Sequence, residues 1–455
     1  MKKKISKRYP LVTVSITCKN YGKFLLKSLE SVLCQSYKNI EIFVIDDNSE
    51  DGSKKILDKI KRKYPKINCI HNNKNLGLQK ISNLIIKICK GNFFLRLDAD
   101  DWLHKNTIKD MVKCFKIKKN IGAVYGNYYY ANVLGKIIGY ENNLNIIKKH
   151  IAPHGACTMY KVSDLKRVKG YYTDIKAQDG WDAWLKLRDT INYYHLNKPL
   201  FYYRQHQESL TKTKKNILKE RGKIFKKVAK MSNNKNQKIS LVVPIKNSFG
   251  ALKNVPFKKI GNTSLIEKLT QTISKLDGNF DIIFTTSNMR VINYLNKYKK
   301  KNNHKKIYIF KRPAKFEKSI SSLQDILNFS KNEYRKKLGN SKIFLFLNLH
   351  IVRNKIDHLL SAINLMKISN FDIIFSVFRE KEPIFKFQKK EFTLLNAGRF
   401  NNLDFNSETI YRFNGSVICG KWDILEKGNM FKKKSGFVET DQNEILNIND
   451  LDKFK

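Results

Sequence analysis

The stretch GNFFLRLDADDW, residues 91–102, carries three carboxylates, Asp98, Asp100 and Asp101, to the end of an apolar run. The chain has 455 residues and 89 Lys and Arg against 39 Asp and Glu, a formal net charge of +50, so a triple acid stands out. An acid at a strand end commonly caps the next helix, holds a divalent cation or hydrogen-bonds a sugar hydroxyl. Capping accounts for any one of them alone. It does not account for an Asp-x-Asp together with a second acidic pair, Asp46 and Asp47, at the end of another apolar run. Hard cations such as Mg²⁺ and Mn²⁺ want oxygen ligands, commonly one or two carboxylates plus substrate phosphates. A nucleotide diphosphate is the guest that this set of acids implies. No GxGxxG follows the first apolar run, which argues against a Rossmann-type dinucleotide site.

Such acids need a scaffold that brings strand ends together. From residue 11 to about 103, strand-like and helix-like segments alternate. They read LVTVSIT (11–17), KFLLKSLESVL (23–33), IEIFVID (40–46), SKKILDKIKRKY (53–64), INCIH (67–71), LQKISNLIIKICK (78–90) and FFLRLD (93–98). The alternation predicts an α/β fold with a mainly parallel sheet covered by helices on both faces. Ligands in such sheets bind beyond the carboxyl ends of the strands. Thr17, Asp46, Asp47, Asp98, Asp100 and Asp101 all fall at those ends and would line one crevice. The chain is long enough for two domains. Residues 211–238 read as a basic helix and a linker ending in SNNKNQK. Alternation resumes at ISLVVPI (239–245) and runs through FDIIFSVF (371–378). The expected division is a first domain at 10–210, the helix and linker at 211–238, and a second α/β domain at 239–455.

Hydrophobic and aromatic contents of 42% and 12% are those of a globular chain, not a disordered one. The lysines are spread along the whole sequence. This favours a compositional bias first and an anionic membrane surface second. No nucleic-acid-binding module is recognisable, so no nucleic-acid partner is expected. The seven cysteines form no CxxC pair and are odd in number, which predicts free thiols in a reducing compartment. The basic MKKKISKRYP is followed by no apolar core of a signal peptide, and no run of about 18 apolar residues exists to span a membrane. The expected location is the cytoplasm, with peripheral contact at the inner face of the cytoplasmic membrane. The oligomeric state stays open.

Four motifs in order carry a resemblance. VTVSITCKNYGKFLLKSLESVLCQSYKNIEIFVIDDNSEDGS, NNKNLGLQKISNLIIKICKGNFFLRLDADDW, QDGWDAWLKL (178–187) and YYRQHQESLT (202–211) resemble the family 2 glycosyltransferases of the GT-A fold, over roughly residues 10–210. The resemblance implies an inverting, metal-assisted enzyme, with Mg²⁺ or Mn²⁺ as cofactor. It would move a sugar from a nucleotide-diphosphate sugar to a hydroxyl of a bacterial surface-glycan acceptor, free or lipid-linked. By position, it implies that Thr17 and Asp47 lie against the nucleotide base, Asp98 near the ribose, and Asp100 on the metal. Asp101 would be a helix-capping or supporting acid. Lys19 stands where some relatives have an aromatic residue stacking on the base. Arg204 would contact a phosphate, and His206 the metal or the leaving phosphate. Asp179 matches the catalytic base, which takes the acceptor hydroxyl's proton, with Asp182 as the rival. His154 and Gly155, in PHGACTMYK (153–161), would line the acceptor side, where Trp181 would stack on a sugar. Trp184 would pack in the core.

The second half carries its own resemblance. ISLVVPIKNSFGALKNVPFKKIGNTSLIEKLTQTI, RPAKFEKSISSLQDIL, FDIIFSVFREKEP, YRFNGSVICGKWDIL and EILNINDLDKF resemble the cytidylyltransferases that activate sialic acids and similar acidic sugars. The resemblance implies a nucleotidyltransferase-like α/β fold. The family's charged groups are missing, however. Gly250 is the sole glycine between Lys246 and Pro256, Ser287 stands where the family has Asp, and Asn447 and Asn449 replace its final Asp-x-Asp. Amides hold Mg²⁺ poorly, so this domain is expected to have lost catalysis. Two other readings stay open. One is a bifunctional protein that also activates an acidic sugar with CTP. The other is a non-catalytic nucleotide-sugar-binding protein.

Overall fold

The computed structural model describes residues 9–118, 120–148, 150–206, 214–234, 236–249, 252–276, 278–317, 322–349, 356–380, 384–388, 391–394, 410–426 and 430–441. The chain forms two compact units. Unit 1 is Met1–Thr213 with Lys381–Glu408, and unit 2 is Lys214–Glu380 with Thr409–Lys455.

Unit 1 runs β1 (Val12–Cys18), α1 (Gly22–Leu33), β2 (Ile40–Asp46), α2 (Ser53–Lys63), β3 (Asn68–His71), α3 (Leu78–Ile88), β4 (Phe93–Asp98) and β5 (Trp102–Leu103). It continues with α4 (Thr107–Ile117), β6 (Ile121–Ala131), β7 (Ile137–Glu141), β8 (Met159–Lys161), α5 (Val162–Arg167), α6 (Asp179–Leu187) and β9 (Asn192–Arg204). One sheet takes the order β3-β2-β1-β4-β8-β6-β9-β5, with β7 paired to β6. Strands β3, β2, β1 and β4 are parallel. The others add antiparallel pairs except β6 with β9, which is parallel.

The sequence explains the layering. In β1, Val12, Val14, Ile16 and Cys18 alternate with Thr13, Ser15 and Thr17, so successive side chains face opposite sides of the sheet. The apolar set packs with Leu25, Leu29 and Val32 of α1, Leu57 and Ile60 of α2, and Met111 of α4. The other face is sealed by Ile81 and Ile85 of α3, Leu165 of α5, and Ala183 and Leu187 of α6 against Phe43, Ile45 and Phe94. Both faces of the parallel strands are therefore buried, which leaves their carboxyl ends as the open edge. The register places Thr17 beside Asp98 on one side and Cys18 beside Asp46 on the other.

Unit 2 holds a seven-stranded sheet in the order Lys306–Lys311, Phe280–Thr286, Ile239–Pro244, Ile343–Phe346, Tyr411–Lys421, Ile373–Arg379 and Ser435–Glu439. Its first four strands are parallel, and Tyr411–Lys421 is antiparallel to both neighbours. The basic stretch contains the helix Lys214–Met231, and this helix belongs to unit 2. It packs on the helix Ile356–Ile368, and Ile224, Phe225 and Ala229 are buried. The boundary therefore lies at the start of that helix, and the described strands Phe385–Gln388 and Glu391–Leu394 fall in unit 1. The basic helix expected within 211–238 is present, and its apolar stripe is buried in unit 2.

Among the described residues, no helix is long and apolar enough to cross a membrane. Cys18, Cys89, Cys114, Cys157 and Cys419 are buried free thiols, whereas Cys34 is exposed. Burial pushes the Cys157 and Cys419 thiols well up.

Candidate active site

The turn after β4 is tied at both ends. The Asp98 carbonyl accepts from Asp101 N at 3.1 Å and from Ser28 Oγ at 3.2 Å. Ala99 is fully buried, so the small residue tucks the turn inward. Trp102 and Leu103 then pair with Tyr202 and Phe201 of β9. This brings carboxylate oxygens of Asp98, Asp100 and Asp101 within 4.8 Å of one another.

The three acids have different partners. Asp100 Oδ2 lies 2.9 Å from His206 Nε2, and both side chains are buried. The His206 ring packs edge-on to Tyr21 at 5.1 Å and against Phe24 at 5.3 Å. Asp101 Oδ1 accepts Arg204 N at 2.9 Å, while its Oδ2 is buried with no hydrogen-bond partner. Burial pushes the Asp101 carboxyl well up, and the neighbouring Asp100 and Asp98 add to the rise. Asp101 caps no helix, because the residue before α4 is Asn106. Its contact with Arg204 N ties the turn to β9. Asp98 keeps a side chain 28% exposed, so a ligand can reach it. Burial raises its carboxyl to about 6 against the opposing charge of Arg96, with Asp100 and Asp179 adding to the rise.

Arg96 is buried in β4 and joins two sides of the site. Its Nη1 pairs with Asp98 Oδ1. Its Nε lies 3.0 Å from Asp179 Oδ2, an ion-pair contact without hydrogen-bond alignment. Asp179 is the first residue of α6, reached through Gln178 at a left-handed φ of 68°. The loop at Pro153–Gly155 closes on this helix start. A Cβ on Gly155 would collide with the Asp179 carboxylate, and one on Gly180 would strike the Pro153 carbonyl. Glycine at both positions lets the acid lie directly against the chain.

Asp182 is placed differently. It is fully buried, accepts Tyr172 N at 2.5 Å and pairs with Lys186 Nζ at 2.9 Å. Its carboxylate is thus committed to holding α6 against the preceding loop.

His154 lies between the acids and an aromatic wall. Its ring is 5.0 Å from Tyr203 and 5.4 Å from both Tyr128 and Phe201. Its Nδ1 accepts from Ala156 N at 3.2 Å, so a neutral ring carries its proton on Nε2. Burial, helped by the Arg96 charge, lowers its pKa to about 4. Trp181 is half-buried and meets the buried Trp184 edge-on at 5.3 Å.

Just after β2, both Asp47 oxygens are engaged. They accept Leu76 N and Gly77 N at 2.8 Å and Asn72 Nδ2 at 2.9 Å. Asp47 therefore shapes the loop between β3 and α3. The Thr17 hydroxyl oxygen is buried without a hydrogen-bond partner. Lys19 Nζ donates to the Asn48 carbonyl at 2.5 Å. The Arg204 guanidinium lies over Phe24 and Trp102, 4.4 and 4.6 Å from the ring centroids. It donates to the carbonyls of Asp100 at 2.8 Å and Val133 at 2.5 Å. Those contacts fix the acidic turn from behind.

The structure thus brings Asp98, Asp100, Asp101, His206, Arg96, Asp179 and His154 into one neighbourhood, with Thr17 beside Asp98 in the sheet. Sequence reasoning missed Arg96 and the wall of Tyr128, Phe201 and Tyr203. A charged residue inside the run FFLRL was the available signal for Arg96. In unit 2, Ser287 follows the strand Phe280–Thr286. Gly250, Asn447 and Asn449 lie outside the described residues.

Residues 13–169 match the family described as Glycosyl transferase family 2. The chain is 26% identical over 218 residues to a chondroitin synthase of Escherichia coli, covering 47% of this chain and 32% of that one. The chain thus spans about a third of this curated relative's length. It is 28% identical over 223 residues to UDP-Glc:alpha-D-GlcNAc-diphosphoundecaprenol beta-1,3-glucosyltransferase WfaP of E. coli, covering 48% and 86%. A solved structure of S. aureus TarS 1-349 in complex with UDP overlaps 89% of this chain and 99% of that one. It does so at a TM-score of 0.41 and 14% identity, too low to carry an inference about fold or ligand. By its sequence motifs and this match, the segment 13–169 is a family 2 glycosyltransferase domain.

Proposed function

We propose that unit 1 is an inverting glycosyltransferase of the GT-A fold. It transfers a sugar from a nucleotide-diphosphate donor to a hydroxyl of a glycan or lipid-linked glycan in the building of a bacterial surface polysaccharide. The observation that carries this reading is the convergence of the Asp98–Asp101 turn with Asp179, delivered from a different element, around the buried Arg96.

The acid set fits a hard divalent cation. Its oxygens are close together, and one of them, Asp101 Oδ2, is buried without a partner. Asp100, with His206 beside it, would hold Mg²⁺ or Mn²⁺, and Asp98 would stand between that ion and the ribose. When bound, that ion would neutralise charge on the departing nucleoside diphosphate. The chain's own residues do the rest. Asp179 accepts the proton of the acceptor hydroxyl as its oxygen bonds to the anomeric carbon. The bond from that carbon to the diphosphate oxygen breaks on the opposite face, so the configuration inverts. His154, neutral with its proton on Nε2, offers a donor on the acceptor side, and Trp181 offers an apolar ring. Thr17, with Asp47 shaping the adjoining loop, faces the nucleotide base, and Asp98 the ribose. Arg204 holds the acidic turn in place. The enzyme would work in the cytoplasm, at the inner face of the membrane where a lipid-linked acceptor is presented. The basic surface of the chain would favour that contact.

The test is incubation with a panel of nucleotide-diphosphate sugars and Mn²⁺, following nucleoside diphosphate release. One donor is expected to be hydrolysed slowly and transferred faster once an acceptor glycan is added. Release from none of them, at any divalent ion, would refute the reading.

For unit 2 the reading is a cytidylyltransferase-like fold without catalysis. It is supported by the parallel strands that open the sheet and by Ser287 at a strand end where that chemistry wants an acid. The full chain is expected to release no pyrophosphate from CTP with acidic sugars and Mg²⁺. Sugar-dependent release would make the protein bifunctional.

A further inference from the structure

Arg96 interrupts the otherwise apolar run Phe93–Leu97 of β4 and is 4% exposed. A guanidinium buried in a sheet needs one carboxylate to be compensated. This one touches two, and they belong to opposite sides of the site: Asp98 at the end of its own strand and Asp179 at the start of α6. The other acids of the turn have separate partners, Asp100 in His206 and Asp101 in the Arg204 main chain. The contact with Asp179 lacks hydrogen-bond alignment. It therefore fixes the acid's position by charge while leaving its lone pairs for a proton.

We propose that Arg96 is a positioning residue serving both halves of the site: it shares Asp98 with the bound cation and aims Asp179 at the acceptor oxygen. The aiming half rests on the transfer reading above. The sharing half rests only on the cation site proposed for the Asp98–Asp101 turn. A fixed positive charge beside Asp98 opposes a divalent cation held by the same turn, because like charges in a buried site repel strongly. Removing it should tighten cation binding even as it misplaces the base. Damage to the fold would instead weaken both.

The experiment uses the full chain. Mn²⁺ alone is titrated by calorimetry, and steady-state transfer is measured with the donor found in the panel. Arg96→Gln is expected to bind Mn²⁺ at least about tenfold more tightly. Its kcat should fall by about a hundredfold with donor KM little changed, as for a base displaced by an ångström. Arg96→Lys keeps the charge and loses the fork. It should bind Mn²⁺ as the unaltered chain does and recover only part of the lost kcat. A folded Arg96→Gln protein that binds Mn²⁺ equally or more weakly overturns the proposal, as does an unaltered chain that binds none. If Arg96→Gln does not fold, unchanged kcat and KM in Arg96→Lys overturns it. Tighter Mn²⁺ binding in a chain that transfers no sugar would sink the transfer reading while upholding Arg96 as the cation's competitor.

Discussion

Asp100→Asn is expected to lower sugar transfer by about a thousandfold, and chelation by EDTA should do the same to the unaltered chain. The amide matches the carboxylate in shape, so it separates charge from packing. Asp100 sits in the turn whose backbone is held independently of its side chain, through the Asp98 and Asp100 carbonyls. His206 can still reach an amide oxygen in place of Oδ2, so stability should change by no more than about 1 kcal/mol. The anionic oxygen that a hard cation requires is lost. Circular dichroism and the melting temperature report the intact fold, and nucleoside diphosphate release reports the lost chemistry. Unchanged turnover in either arm would remove the metal-held diphosphate from the mechanism.

How much of this site could be read from the sequence depends on what kind of information each residue carries. The positions of Asp46, Asp47 and Asp98 were legible because parallel strands buried on both faces show as apolar runs, and β2 and β4 end where those runs end. Partner choice was not legible. Arg204, expected at a phosphate, has Nε and Nη1 turned to main-chain carbonyls and its face on two rings. Those carbonyls lie far from it in sequence and meet it only through strand pairing. Asp47, expected at the base, has both oxygens engaged by the loop from Asn72 to Gly77. The tyrosines of β6 illustrate a further limit. Tyr128 and Tyr130 share a face and Tyr129 takes the other, as strand alternation requires, but which face meets His154 is set by the pairing with β9. The start of unit 2 was obscured for a simpler reason. The lysines of Lys214–Met231 read only as a basic helix, and its buried stripe of Ile224, Phe225 and Ala229 is narrow.

Asp179 and Asp182 stand three residues apart at the start of one helix, and sequence alone leaves them as rivals for the base. Their surroundings predict opposite failures. Asp179→Asn should lower kcat by about 10²–10⁴-fold, with donor KM and melting temperature little changed. Its carboxylate meets Arg96 across the site, has an oxygen without a hydrogen-bond partner, and lies against a glycine that leaves it room. Asp182→Ala should instead destabilise the fold by about 3–5 kcal/mol, because it strips the partner from a buried ion pair. Lys186, with a side chain only 12% exposed, would keep the Gly170 carbonyl and the Tyr172 ring but lose its counter-charge, and Tyr172 N would lose its acceptor. At a temperature where the Asp182→Ala protein is still folded, its kcat should stay within a few-fold of the unaltered value. The measurements are a thermal or urea unfolding curve and a steady-state assay on each variant. Lost kcat in a well-folded Asp182 variant, with Asp179→Asn still active, would transfer the role of base to Asp182. It would also mean that the contacts of Asp182 with Lys186 and Tyr172 N rearrange when substrate binds, since both its oxygens are engaged and buried in the free protein.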